Sequence, residues 1–129
     1  MFIELNLRMM STFKRFEDML VWQKARMVVN RIYDVSSLEY FRKDFALKDQ
    51  IRRASISIML NIAEGFGRQT NKEFRNFLFY SNGSVTELQS ALYIALDRKY
   101  ISKELFDEIY NQCTEISKML SGLIKYLKN

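Results

Sequence analysis

From Glu17 to about Ser36 the apolar residues Val21, Ala25, Val28, Ile32 and Val35 recur at alternating intervals of four and three. That spacing lines one face of a helix and turns it toward a bundle core. Trp22, Val29 and Tyr33 widen the face, and Glu17 and Asp18 supply first-turn negative charge that suits the helix dipole. Leu38, Tyr40 and Phe41 follow in a loop expected to fold back over the end of the bundle. A second helix is predicted from the N-cap Asp44 to Gly65, where Gly65 or Gly67 takes a left-handed conformation to stop it. Thr70-Asn71-Lys72-Glu73 has the form of a capping box, with Glu73 reaching back to Thr70, and opens a third helix running to about Arg98. Its seam is Phe74, Phe77, Leu78, Ser81, Val85, Leu88, Leu92 and Ala95. Gly83 interrupts that helix and reads either as a close approach by a neighbour or as a tolerated defect. Ser102 caps a fourth helix, whose apolar line is Leu105, Ile109, Cys113, Ile116, Leu120, Leu123 and Leu127. Four helices with short connections predict an all-α, antiparallel up-down-up-down four-helix bundle.

The second helix departs from the simple pattern. Gln50, Arg53, Ser57, Asn61 and Glu64 fall on one narrow polar stripe, while most of the remaining circumference is apolar. A helix of this kind needs more than one packing surface. Ile56, Met59, Leu60 and Ala63, together with Phe79 and Tyr80 from the third helix, are therefore the candidate contacts between subunits of a homo-oligomer. Tyr93 and Ile94 add further apolar area outside the third helix's seam. The polar stripe itself admits three readings: a polar channel, a hydrogen-bond network that fixes register, or a solvent-facing strip.

Composition sharpens this picture without changing it. The 129 residues contain no proline and only four glycines, so no helix is interrupted by a missing backbone donor. Residues 1–15 read as an N-terminal tail, with translation from Met9 or Met10 as an alternative start, and residues 16–129 as one bundle domain. No apolar run is long enough to predict a transmembrane helix. The single cysteine excludes an internal disulfide and fits a reduced, cytoplasmic setting.

The candidate chemistry is sparse. With no histidine in the chain, the usual metal ligand and general base are missing, so neither an enzyme nor a metal or cofactor site is expected. Glu104, Asp107 and Glu108 read as charge favoured at a helix start, and Cys113 as a small core residue. Gly65-Phe66-Gly67 follows a helix and lacks the Gly-Lys-Ser/Thr ending of a phosphate loop.

Charge is the remaining signal. Twenty basic and fifteen acidic residues give a net charge of +5. Between Lys48 and Arg75 six basic residues meet three acidic ones, so most of the excess lies in that span. Arg52, Arg53, Arg68, Lys72 and Arg75 are the candidate contacts to nucleic-acid phosphates, the last three gathering where the third helix presents free N–H groups. Solvated surface charge is the competing reading.

Phe16-Glu17-Asp18-Met19-Leu20-Val21-Trp22-Gln23-Lys24-Ala25 resembles the opening of the bacterial four-helix bundle protein family, also called the ribosomal-RNA intervening-sequence proteins. The likeness continues through Asp49–Ala54, Asn61–Arg68, Lys72-Glu73-Phe74, Phe77-Leu78, Gly83-Ser84, Glu87-Leu88 and Tyr100-Ile101-Ser102. It implies a bundle assembling as a cyclic homo-pentamer without enzymatic activity. Relatives in diversity-generating retroelements bind nucleic acid and a reverse transcriptase through a basic surface, so RNA, DNA or such a protein are the partners the resemblance implies. One departure stands out. The family pattern Ser-Ile-Pro-Ser is replaced by Ser57-Ile58-Met59-Leu60, which removes the cause of a bend in the second helix.

Overall fold

The computed structural model describes residues 13–128, and the expected tail falls mostly outside them. A short 3-10 helix, Phe16–Asp18, precedes four long α-helices: α1 Leu20–Ser36, α2 Phe45–Phe66, α3 Asn71–Asp97 and α4 Lys103–Leu127. A second 3-10 turn, Phe41–Lys43, lies between α1 and α2. No strand occurs among the described residues. Phe13, on the tail side of the expected boundary, already packs against the core.

α1, α3 and α4 bury most of the apolar line read for each, with Phe77 and Leu105 half-buried. Val21, Ala25, Val28, Ile32 and Val35 of α1 are all buried, as are Ile109, Cys113, Ile116, Leu120 and Leu123 of α4. Phe106, Met119 and Ile124 of α4 are buried as well, which broadens that face beyond a single line. Contacts along α2 and α3 pair late residues of one with early residues of the other. Gln50 donates to Glu87, Ser84 to Ser57 at 2.8 Å and Ser81 to the Ile58 carbonyl at 2.8 Å. α3 and α4 pair in the same sense, from Gln89 with Thr114 to Arg75 with Leu127. Packing is most extensive between α2 and α3 and sparser between α1 and α4.

Three N-caps behave as read. Asp44 accepts from the Leu47 amide at 3.1 Å, Thr70 from Glu73 at 3.2 Å and Ser102 from Leu105 at 3.1 Å. Only half of the capping box forms in the expected sense. Glu73 accepts from the Thr70 hydroxyl at 3.2 Å, so side chain meets side chain. α2 runs without interruption through Met59 and Leu60, where the family pattern places its proline.

Other expectations need correction. The α-helix does not begin at Glu17, because Met19 is extended (φ −75°, ψ 124°) and fully buried, which separates the 3-10 turn from α1. Of the aromatic loop, only Phe41 folds into the core, while Leu38 and Tyr40 remain exposed. Neither Gly65 nor Gly67 is left-handed: α2 passes through Gly65, and Gly67 ends it with φ −78°. Gly65 is needed for a different reason. A Cβ there would lie 2.9 Å from both Phe74 Cδ1 and Phe77 Cβ, so the glycine lets α3 close on α2. At Gly83 an added Cβ meets nothing within 4 Å, so the tolerated-defect reading fits.

Among the described residues the left-handed one is Lys99 (φ 61°). Tyr100 donates to the Ala95 carbonyl and Lys99 to that of Leu96, both at 2.9 Å, which together make a Schellman ending for α3. A side chain in this conformation costs about 1–2 kcal/mol. Lys99→Gly recovers part of that against the greater freedom of glycine in the unfolded chain. It is expected to raise stability by about 0.5–1 kcal/mol, read from the midpoint of urea unfolding.

Candidate nucleic-acid interface

One edge of the polar stripe of α2 lies against α3. Besides the Ser57–Ser84 contact, the Asn61 amide donates to the Ser57 carbonyl at 2.9 Å and to its hydroxyl at 3.0 Å. Arg53 pairs with Asp49 at 2.7 Å, and Arg68 with Glu64, each across one helical turn. These groups spend their hydrogen bonds on their own helix and on α3. Gln50, Arg53 and Glu64 are exposed, and only Gln50 and Ser57 bond across to α3, so the stripe is a solvent-facing strip whose edge hydrogen-bonds to α3. A cavity of about 90 Å³ does exist, on the opposite side between α1 and α4, lined by Lys24, Met27, Val28, Gln112, Glu115 and Ile116.

The five candidate cations divide between the two ends of the bundle. Arg52 and Arg68 are sixteen residues apart, about 24 Å along a helix axis. Arg52 binds the end of α1: its guanidinium donates to Ser36 at 2.8 Å and to Ser37 at 3.1 Å, and lies 4.4 Å from the centre of the Tyr33 ring. Arg53, beside it, is exposed and paired with Asp49. At the far end, Arg68 lies over the Phe77 ring at 4.7 Å while holding Glu64. Arg75, half-buried, donates to the Leu127 carbonyl at 2.8 Å, a favourable place for a cation at the C-terminus of α4. Lys72 is exposed in the first turn of α3.

The Arg75–Leu127 bond brings in cations that sequence reasoning left out. Lys125, on the last turn of α4, and Lys128, just past it, are both exposed at the end that Arg75 reaches. Arg75 thus links the start of α3, which Arg68 and Lys72 adjoin in the chain, to the end of α4 that carries Lys125 and Lys128. Nothing in the sequence pairs residue 75 with residue 127, because that contact exists only once α3 and α4 have packed.

The candidate subunit contacts also separate. Met59 and Ala63 are partly buried against the core and Ile56 is half-buried, so part of each side chain packs within the chain. Leu60, Phe79 and Tyr80 remain well exposed. Phe79 and Tyr80 are adjacent on α3 and therefore point about 100° apart. Tyr80 meets Phe77 edge-to-face at 5.8 Å on the side of α3 that faces α2.

The acids at the start of α4 are exposed or engaged. Lys103 pairs with Asp107, and Arg31 with Glu108 at 3.0 Å. Cys113 is buried, which pushes its thiol up to about 12 and keeps it protonated near neutrality. Among the described residues no three His, Cys, Asp or Glu side chains gather as metal ligands, and no helix is long and apolar enough to cross a membrane.

Comparison with known proteins agrees with this architecture. A crystal structure of a protein of unknown function from the S23 ribosomal protein family of Bacteroides thetaiotaomicron VPI-5482 superimposes with a TM-score of 0.77 at 31% identity, covering 82% of this chain and 96% of that one. No curated protein matches the sequence. The family model described as 23S rRNA-intervening sequence protein matches residues 17–122, a span that takes in α1, α2 and α3 entire and most of α4. The chain belongs to the 23S rRNA-intervening sequence protein family.

Proposed function

We infer that this protein is a non-enzymatic, cytoplasmic interaction protein: an antiparallel up-down-up-down bundle that assembles as a cyclic homo-oligomer and binds RNA through a basic surface. The observation that carries the reading is the start of α3, where Arg75 reaches the lysine-bearing end of α4, Lys72 is exposed in the first turn and Arg68 lies just before the helix. Cations set around a helix N-terminus suit phosphate oxygens. The family carries ribosomal RNA in its name, which fits an RNA partner. Repetition of this site around a ring, a pentamer by the family resemblance, would multiply a modest affinity through simultaneous contacts.

Arg68→Glu combined with Lys72→Glu is the test, by filter retention of RNA at low salt. The double variant is expected to bind about tenfold or more weakly, with a shallower dependence on salt. Unchanged retention would remove this site from consideration. A protein-binding scaffold is the second reading, favoured by exposed Leu60, Phe79 and Tyr80. It predicts an oligomer in sedimentation that fails to carry RNA with it.

A further inference from the structure

The two most exposed large apolar side chains among the described residues, Phe45 at 73% and Tyr40 at 68%, flank the 3-10 turn Phe41–Lys43. Each carries an ammonium group over its ring: Lys43 over Tyr40 at 6.0 Å and Lys48 over Phe45 at 4.9 Å. Arg42, between them, is exposed. None of these three cations is ion-paired with a carboxylate of the described residues. The loop's own acids are Glu39, which is exposed, and Asp44, whose carboxylate is occupied by the Leu47 amide and by the Tyr100 hydroxyl at 2.9 Å.

The rings stand on a fixed base. Phe41 is fully buried and stacks on Tyr100 at 5.2 Å, and Tyr100 in turn holds Asp44. Arg42 donates its amide to the Leu38 carbonyl at 2.8 Å. Little ordering is therefore left to be done when a ligand arrives.

We propose that this platform binds single-stranded RNA, with bases stacked on Tyr40 and Phe45 and phosphates held by Arg42, Lys43 and Lys48. A base has a π-face whatever its identity, so stacking on exposed rings is tolerant of sequence, and flanking cations follow the backbone. A duplex hides its base faces and cannot use the rings. The proposal rests on the RNA-binding reading above and adds to it a preference for unpaired strands, at the opposite end of α2 from the Arg68–Lys72 corner.

Fluorescence anisotropy with a labelled oligouridine RNA and with an RNA duplex of equal length tests it. Tyr40→Ala with Phe45→Ala is expected to weaken oligouridine binding about tenfold or more and duplex binding less than about twofold. Tyr40→Trp with Phe45→Trp is expected to retain or tighten oligouridine binding. Both residues are exposed, so unchanged thermal melting will accompany either pair. Equal losses on both RNAs, or no loss, would overturn the platform while leaving the corner reading intact. If the wild type binds neither RNA, the corner reading falls and the platform with it. A smaller sedimentation coefficient for the alanine pair without RNA overturns the proposal in favour of a subunit contact. A loss confined to binding of phosphatidylserine vesicles overturns it in favour of a membrane surface.

Discussion

Replacing Phe41 with alanine is expected to lower the free energy of unfolding by about 3–5 kcal/mol. The ring is fully buried beneath the 3-10 turn and stacked on Tyr100, so truncation removes its apolar area from the core and leaves a cavity. The neighbours have little freedom to fill that space. Tyr100 is held through its hydroxyl by Asp44, and its backbone amide closes the end of α3. Phe45→Ala, four residues on, removes a ring of the same size from an exposed site and is expected to change stability by no more than about 0.5 kcal/mol. Urea unfolding of the two variants side by side checks the contrast. Similar losses in both would mean that Phe41 is not the anchor of the loop. The same pair separates stability from function, because Phe45 is placed to stack on a ligand and Phe41 to hold the turn.

The second large effect is at Gly65. Alanine has the higher helix propensity, by about 1 kcal/mol, so a gain is expected on local grounds alone. Packing decides otherwise. The new methyl would sit 2.9 Å from Phe77 Cβ and 3.2 Å from the Phe74 carbonyl oxygen, positions that no side-chain rotation can vacate. Only the Phe74 ring, also at 2.9 Å, is able to swing aside. Relief therefore requires α2 and α3 to separate along their most extensive interface. Gly65→Ala is expected to destabilise by about 2–3 kcal/mol after the propensity gain. Gly83→Ala, with open space around it, is expected to stabilise by up to about 1 kcal/mol. A stabilising Gly65→Ala would show that the two helices are not in such close contact.

These two glycines show how far the linear pattern reaches. In the sequence both are breaks in a helix, and Gly65 looks like a terminator because Gly67 follows two residues later. Their roles depend on what lies across the helix interface, which the sequence near them does not encode. The same holds for the candidate site. Arg52 and Arg53 look continuous with Arg68, Lys72 and Arg75 as one basic span, yet an intervening helix sets the two groups at opposite ends. Arg52 is drawn to the end of α1 and Arg75 to the end of α4, so side chains read as ligand-binding also do structural work.

The sequence by itself determined the four helices, most of their buried lines, the caps at Asp44, Thr70 and Ser102, and the family. Helical periodicity and capping act within a few residues, so local order carries them. Only the tertiary structure decided that Gly65 is a contact point, that Lys99 closes α3, and that Arg75 reaches the end of α4 that carries Lys125 and Lys128. It alone also left Tyr40 and Phe45 outside while drawing Phe41 in. The physical reason is the same in each case. Surface charges and exposed rings follow no repeat, and their neighbours are chosen by helix packing between residues far apart in the chain.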